Sequence, residues 1–215
     1  MFIIDFDDTI FDTRGKNGFK EARLKALRKI GVSRELYTKT YYKSARNSIG
    51  HAVYNSRRHA RELVKNGFDE KKVFQALEKT VSARILKTFL YKDTIIFLKK
   101  LKKLKQPVIL FSLGEKSFQI LKINKTGLNK YFDKIIIVSL PKEKTIKTIP
   151  GLKYAKNVWF INNRVDETLS VKKYSSQFKY VLKQSADIPL EDYRKSGLPY
   201  FKNLLGIYEY IRKNQ

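Results

Sequence analysis

Two patterns of apolar residues alternate along most of the chain. Stretches with apolar residues at every third or fourth position predict amphipathic helices. Short, nearly continuous apolar runs are typical of strands buried on both faces. Strands that alternate with helices indicate a parallel sheet covered by helices on both sides. We therefore predict a Rossmann-like, three-layer α/β core. The predicted strands are 1–4, 108–111, 135–138, 158–161 and 178–182, and the predicted helices are 93–104, 118–123, 144–149, 166–173 and 204–211.

Between the first two predicted strands, residues 14–89 show helical spacing and no strand pattern. Glycines and helix-capping residues divide this segment into four predicted helices. The segment begins with a flexible polar stretch that contains Gly15 and Gly18. We predict an all-helical cap domain at 14–89, inserted into a core formed by 1–13 and 90–215. The predicted cap helices are about 19–30, 33–48, 51–65 and 69–86.

Composition narrows the class of protein. Hydrophobic residues make up 42% of the 215, which is enough for a packed core. The chain has no cysteine, so disulfides and thiolate chemistry are excluded. It has no apolar run long enough for a transmembrane helix, and acidic residues stand where a signal peptide would be apolar. We expect a cytoplasmic protein with no membrane partner.

The net charge of +26, from 46 basic and 20 acidic residues, favours anionic partners. A phosphorylated small molecule is one candidate, and nucleic acid is another, because phosphate contacts dominate its affinity. Arg57, Arg58 and Arg61, with Tyr54, form the best basic-aromatic patch for a nucleic-acid backbone. A solvated helix face and a general Lys-rich composition explain the same residues, so both interpretations stay open.

The first candidate site residues follow the first predicted strand. Asp5 and Asp7 stand two residues apart, so on a regular strand their carboxylates would point the same way. Two adjacent carboxylates repel each other, and a hard divalent cation is the usual compensation. In open α/β sheets, ligands bind at the carboxyl ends of the strands. The pattern predicts a metal-assisted site at this edge.

The segment Asp5-Phe6-Asp7-Asp8-Thr9 resembles the first motif of the haloacid dehalogenase-like superfamily, Asp-x-Asp-x-Thr after an apolar strand. The resemblance implies a Mg2+-dependent phosphatase that works through an aspartyl-phosphate. In it, Asp5 would be the nucleophile, Asp7 the general acid and base, and both would bind Mg2+. Thr9 would help to bind the substrate.

Two further stretches extend the resemblance. Ser112, after the strand at 108–111, resembles the second motif, whose hydroxyl would bind a phosphoryl oxygen during catalysis. The third motif is a lysine near a helix start, and Lys142 and Lys144 compete for it. We prefer Lys142 as the catalytic lysine, because Ile146 and Ile149 then fall on the apolar face of the helix. Lys144 is assigned to substrate binding.

The fourth motif departs from the family pattern, which has acidic residues after the fourth strand. Asn162 and Asn163 stand there instead, with Asp166 four residues after Asn162. Asparagine offers a neutral carbonyl oxygen to a metal. We assign Asn162 and Asp166 as Mg2+ ligands with Asp5 and Asp7. Weak metal binding, slow turnover, and a non-catalytic protein that binds an anionic ligand such as nucleic acid are the alternatives.

Three aromatic residues are set aside from the chemistry. His51 and His59 have no acidic cluster near them in sequence, so we expect surface or packing roles. Trp159 lies within a predicted strand and is expected in the core.

Overall fold

A parallel sheet of six strands forms the centre of the molecule. The computed structural model describes residues 1–45 and 53–214. The strand order is β3-β2-β1-β4-β5-β6, and every neighbouring pair is parallel. The carboxyl ends of β1, β2 and β4 therefore meet at one edge, where the motif residues stand. The strands are β1 Phe2–Ile4, β2 Val108–Leu113, β3 Lys134–Val138, β4 Trp159–Asn162, β5 Lys179–Lys183 and β6 Tyr200–Phe201.

The first five helices of the described part of the chain follow β1 and end before residue 90. The last four of these helices each begin after a residue whose side chain accepts a backbone N–H group of the first turn. These capping residues are Ser33, Asn55, Asp69 and Ser82. The predicted fourth helix is divided in two, because Ser82 caps a new helix after Thr80. The predicted third helix begins later than expected, at Ser56, and residues 46–52 lie outside the described residues. The helices are α1 Phe19–Arg28, α2 Arg34–Ser44, α3 Ser56–Val64, α4 Glu70–Lys79 and α5 Ala83–Lys87.

Helices α1 to α4 share an apolar cluster of their own. It includes Leu24, Leu63 and Leu77, all buried. Phe19 and Leu86 pack instead into the cluster beneath the sheet. An inserted domain requires a hydrophobic core of its own, and these helices have one. The boundaries of the cap domain at 14 and 89 stay a prediction.

The remaining helices cover both faces of the sheet. Phe2 and Ile4 pack against α6, α7 and α11, while Ile3 packs against the opposite layer, which contains α9 and α10. This alternation along β1 confirms the three-layer α/β core. The sequence pattern missed β6 and α10, which are short. The helices are α6 Thr94–Lys103, α7 Lys116–Thr126, α8 Lys142–Thr145, α9 Val165–Tyr174, α10 Leu190–Lys195 and α11 Leu204–Lys213.

Trp159 lies at the start of β4, beside Phe2 of β1, and is buried as predicted. Within the described ranges, no helix combines the length and apolar character needed to cross a membrane.

Candidate active site

Asp5 directly follows β1, and its carboxylate contacts Lys142 at the first turn of α8. Lys142 Nζ donates to Asp5 Oδ1 at 2.6 Å and to Glu167 Oε2 at 2.9 Å. The lysine is only 1% exposed, and Ile146 and Ile149, which follow it in the chain, are also buried. Burial raises the pKa of Asp5, an effect that Lys142 opposes. Burial would lower the pKa of Lys142, yet the two carboxylates raise it, so the lysine stays charged.

Asp7 is surrounded by donors. Lys122 Nζ donates to Oδ1 at 2.6 Å, Thr13 Oγ1 donates to the same oxygen at 2.5 Å, and Gln119 Nε2 donates to Oδ2 at 2.7 Å. Burial would raise the pKa of Asp7, but these contacts, with Lys122 the strongest, lower it. Asp7 is therefore ionised in this conformation.

Sequence reasoning assigned no role to Lys122 or Gln119. Their i,i+3 spacing on α7 places both side chains on one face of the helix, and this was the available signal. Gln119 Nε2 also donates to Ser112 Oγ at 3.2 Å. Ser112 is buried within β2, one residue before the strand ends, so the strand is longer than predicted.

The turn after β1 places two oxygens around Thr9. Thr9 Oγ1 lies 3.1 Å from Asp5 Oδ2 and 3.4 Å from Asn163 Oδ1. Thr9 is fully buried, so the contacts that it makes position Asp5. Asp8, one residue earlier, has a positive φ of 61° and accepts the backbone N–H groups of Thr13 and Arg14. Burial raises the pKa of Asp8 to about 7.

The two asparagines differ in their surroundings. Asn162 is fully buried at the end of β4, where Nδ2 donates to Glu167 Oε2 at 2.8 Å and Oδ1 accepts the N–H of Asn163. Asp166 forms a salt bridge with Arg164, and its side chain is 69% exposed. The metal-ligand roles of Asn162 and Asp166 stay predictions.

The four-residue spacing of the fourth motif recurs one position later in the chain. Asn163 contacts Thr9, which also contacts Asp5, and Glu167, four residues on, accepts from Lys142. Glu167 was not among the predicted site residues, although its position next to Asp166 offered the same spacing.

Several of these side chains line one cavity of about 890 Å³. Lys144 is exposed and, like Thr9 and Asn162, is not among the described residues that line the cavity. The predicted site residues that do line it are Asp5, Asp7, Ser112, Lys142 and Asp166, together with Asn163.

The carboxyl edge of the sheet contains oxygen atoms of the kind that bind Mg2+. The ion prefers oxygen ligands and is usually held by one or two carboxylates, with waters and substrate phosphate completing the shell. Asp5 Oδ2 and Asn163 Oδ1 converge on Thr9 and supply one anionic and one neutral oxygen. Across residues 1–45 and 53–214, no group of three or more His, Cys, Asp or Glu side chains could hold a metal ion. Asp5 Oδ2 and Asn163 Oδ1 are oxygen ligands of the kind that Mg2+ accepts, and water and substrate phosphate would have to complete the shell.

The helical segment supplies another wall of the cavity, through Lys20, Arg23, Tyr41 and Tyr54. Tyr54 stacks on Tyr41, with ring centroids 4.8 Å apart. It therefore faces the cavity, whereas Arg57 and Arg61 of the predicted basic-aromatic patch are exposed.

His59 is buried behind this wall, within hydrogen-bonding distance of Thr40 and Tyr54. Burial lowers its pKa to about 3, and the neighbouring Arg23 and Lys20 add to this effect. Its role is packing, as expected, and His51 lies outside the described residues.

Comparison with solved structures finds the same fold in proteins of low sequence identity. A protein from Burkholderia xenovorans LB400, assigned as a haloacid dehalogenase-like hydrolase, has a TM-score of 0.73 at 16% identity, with 94% of each chain covered. One from Thermotoga maritima, assigned as a β-phosphoglucomutase, has a TM-score of 0.68 at 13% identity, covering 99% of this chain and 98% of its own. A magnesium-bound protein from Bacillus subtilis, assigned as an HAD hydrolase, has a TM-score of 0.63 at 14% identity, covering 98% and 97%. Dehalogenases are also among the similar folds.

Comparison with curated proteins finds no significant match. The family model for haloacid dehalogenase-like hydrolases matches residues 1–152, which include the strand-end carboxylates, Ser112 and Lys142. The chain therefore belongs to the haloacid dehalogenase-like hydrolases.

Proposed function

We propose that this hydrolase is a Mg2+-dependent phosphatase that cleaves phosphate monoesters through a phosphorylated Asp5. The supporting observation is the contact between Asp5 and the buried Lys142, which line the same cavity as Asp7. The charged lysine donates to Oδ1 of Asp5 and favours the ionised form of this carboxylate, against burial, which raises its pKa.

In the first step, a carboxylate oxygen of Asp5 attacks phosphorus and the bond from phosphorus to the leaving oxygen breaks. The leaving oxygen keeps the bonding electron pair and takes a proton from water. Lys142 offsets the negative charge that gathers around Asp5 and the phosphoryl group. Ser112 accepts from Gln119, so its own hydroxyl proton is free to bind a phosphoryl oxygen. Mg2+, when bound beside Asp5 and Asn163, would add positive charge at the same oxygens.

In the second step, water attacks the phosphorylated Asp5 and releases inorganic phosphate. Asp7 is ionised by its contacts with Lys122, Gln119 and Thr13, so it can accept the proton of that water.

A binding protein for an anionic ligand, nucleic acid included, is the second candidate. The observation that favours it is the neutral pair Asn162 and Asn163 at the end of β4, both buried. Loss of charge near a metal lowers affinity or activity by about 10–100-fold even when only supporting groups change.

Hydrolysis of 4-nitrophenyl phosphate across a Mg2+ titration tests the proposal. We expect Mg2+-dependent turnover, and a loss of about 10⁴-fold or more in Asp5→Asn, because the amide is a poor nucleophile. Asp69→Asn is the matched control, since Asp69 is an exposed helix N-cap and asparagine caps equally well.

Acid quenching during turnover should trap one phosphoryl group on the original chain and none on Asp5→Asn. Near-normal activity in Asp5→Asn would show that the nucleophile is assigned wrongly. No turnover at any Mg2+ concentration, combined with measurable binding of an oligonucleotide, would support the second candidate instead.

A further inference from the structure

The cavity contains a buried arginine without a carboxylate partner among the described residues. Arg23 of α1 is 1% exposed and donates to Tyr54 Oη at 2.7 Å and Ser56 Oγ at 3.1 Å, both neutral oxygens. A third contact, to Thr80 Oγ1 at 3.5 Å, is also neutral, and Arg23 Nε has no hydrogen-bond partner. Residues 46–52, which the structure does not describe, contain no Asp or Glu in their sequence. Burying a guanidinium without an anion is costly.

Two carboxylates of the helical segment form salt bridges with other cations. Glu21, on the same helix, forms a salt bridge with Arg34, and Glu62 forms salt bridges with Lys43 and Lys65. None of the salt bridges among the described residues includes Arg23.

A second cation stands close to Arg23 on the same helix. Lys20 lines the cavity three residues earlier, and its Nζ lies 4.4 Å and 4.7 Å from the ring centroids of Tyr41 and Tyr42. None of the salt bridges in the described part of the chain involves Lys20. Its three-residue spacing from Arg23 places both on one helix face.

Phe118 connects this pair to the strand-end carboxylates. The Arg23 guanidinium and Lys122 Nζ each lie 5.5 Å from the Phe118 ring centroid, and Lys122 contacts Asp7. Arg23 and Lys20 therefore belong to the same cavity as Asp5, but they are not neutralised by its carboxylates.

We propose that Lys20 and Arg23 form a subsite for a second anionic group, so that the preferred substrate is a phosphate monoester that also carries a carboxylate or a second phosphate. This rests on the proposed phosphatase function and deepens it by naming the substrate class. A cavity of about 890 Å³ is large enough for a substrate with two separated anionic groups.

The competing explanation is that Arg23 only ties α1 to α3 through Tyr54 and Ser56. Arg23→Met separates the two, because methionine keeps much of the bulk and removes the charge. A tie between helices would affect stability alone, whereas an anion subsite would affect the choice of ligand.

Binding is measured first, with probes that cannot be hydrolysed. We compare phenylphosphonate, 4-carboxyphenylphosphonate and 1,4-phenylenebisphosphonate by calorimetry, on the full chain with Mg2+. The two probes that carry a second anionic group should bind at least about ten-fold more tightly than phenylphosphonate, because one charge-assisted hydrogen bond contributes a free energy of that size. The difference between the carboxylate and phosphonate probes identifies which second group is preferred.

Arg23→Met should remove that preference and leave phenylphosphonate affinity unchanged. Lys20→Met should reduce it by a smaller factor, because Lys20 is more exposed, and it keeps the test valid if Arg23→Met fails to fold. Arg34→Met is the matched control, since Arg34 lies on α2 at the surface, in a salt bridge with Glu21. Equal binding of the three probes by the original chain, or a preference that survives both substitutions, would overturn the proposal.

Kinetics then give a second readout. Arg23→Met should raise KM for 4-carboxyphenyl phosphate with little change in kcat, and leave KM for phenyl phosphate unaltered. If the original chain hydrolyses neither ester but still prefers the doubly anionic probes, the phosphatase proposal fails and the subsite stands. If it hydrolyses both with equal KM, the subsite fails and the phosphatase stands.

Discussion

The two walls of the cavity carry charge in different ways. On the sheet edge, carboxylates are paired with cations, as in Asp5 with Lys142 and Asp7 with Lys122. On the helical wall, Lys20 and Arg23 lie among tyrosine, serine and threonine side chains. One wall is close to internal neutrality, and the other retains positive charge.

This difference separates two tasks that an anion-binding cavity has to perform. Paired charges on the sheet edge hold reacting groups in fixed positions and ionisation states, but they attract a phosphate only weakly. The unpaired cations of the helical wall attract anions without fixing any reacting atom. Under the proposed function, chemistry belongs to the first wall and substrate choice to the second.

The largest expected effect follows from removing the cation of the sheet edge. Lys142→Met leaves Asp5 and Glu167 facing each other without a positive charge. Breaking a buried ion pair on one side costs about 3–5 kcal/mol in the free energy of unfolding. We expect a loss of stability of this size in urea denaturation, together with a loss of most turnover.

Lys144→Met provides the matched control for Lys142→Met. Lys144 lies two residues away and is exposed, and surface substitutions typically change stability by less than about 0.5 kcal/mol. Equal effects of the two substitutions would show that the Lys142 contact does not organise the site.

A smaller effect is expected from adding charge at the end of β4. Asn163→Asp places a second carboxylate beside Asp5 and Thr9, and should tighten Mg2+ binding about ten-fold, taking the effect of supporting groups as a lower guide. Asn162→Asp should not do so, because its carboxylate would replace an amide that donates to Glu167 at 2.8 Å.

Calorimetric Mg2+ titration of the original chain and both variants decides between the asparagines. Tighter binding in Asn162→Asp alone would restore Asn162 as the ligand that the sequence suggested. Identical affinity in all three proteins would mean that neither asparagine faces the ion.

The smallest expected effect concerns Asp8, because its paired cation is more distant than those of Asp5 and Asp7. Asp8 lies 3.6 Å from the Nε of Arg14, and its pKa is raised to about 7. A carboxyl group with a raised pKa keeps its proton in the fold after the unfolded chain has lost it. Its contribution to stability is therefore present at low pH and is lost as pH rises through about 7.

Asp8→Asn removes this titration while keeping an oxygen that can accept from Thr13 and Arg14, and asparagine tolerates the positive φ. The Tm of the original chain should fall relative to that of Asp8→Asn between pH 5 and pH 8. A constant difference across this range would contradict the raised pKa.

The core of the fold could be predicted because its signals are local. Buried parallel strands are nearly continuous apolar runs, and the residues that follow β1, β2 and β4 must meet at one edge. Asp5, Asp7, Ser112 and Lys142 line one cavity, as this rule and the family resemblance together predicted for the carboxyl edge of the sheet.

The pairing of side chains could not be predicted in the same way. Lys122 and Asp7 are far apart in sequence, and a helical pattern shows which face is buried but not which residues that face contacts.

The fourth motif was ambiguous for a different reason. Two asparagines are followed by Asp166 and Glu167, so the same spacing holds in two registers, and only the fold turns Glu167 towards Lys142.

The chain has a single tryptophan, and Trp159 is buried in the middle of the sheet, between β1 and β5. The helical segment has only tyrosine and phenylalanine as aromatic reporters besides histidine. Tryptophan emission will therefore follow the melting of the sheet, whereas far-ultraviolet circular dichroism will follow both parts. Unfolding of the helical segment by itself would change the dichroism and leave the emission of Trp159 unchanged. A comparison of the two signals therefore shows whether the two parts unfold together, with no added fluorophore.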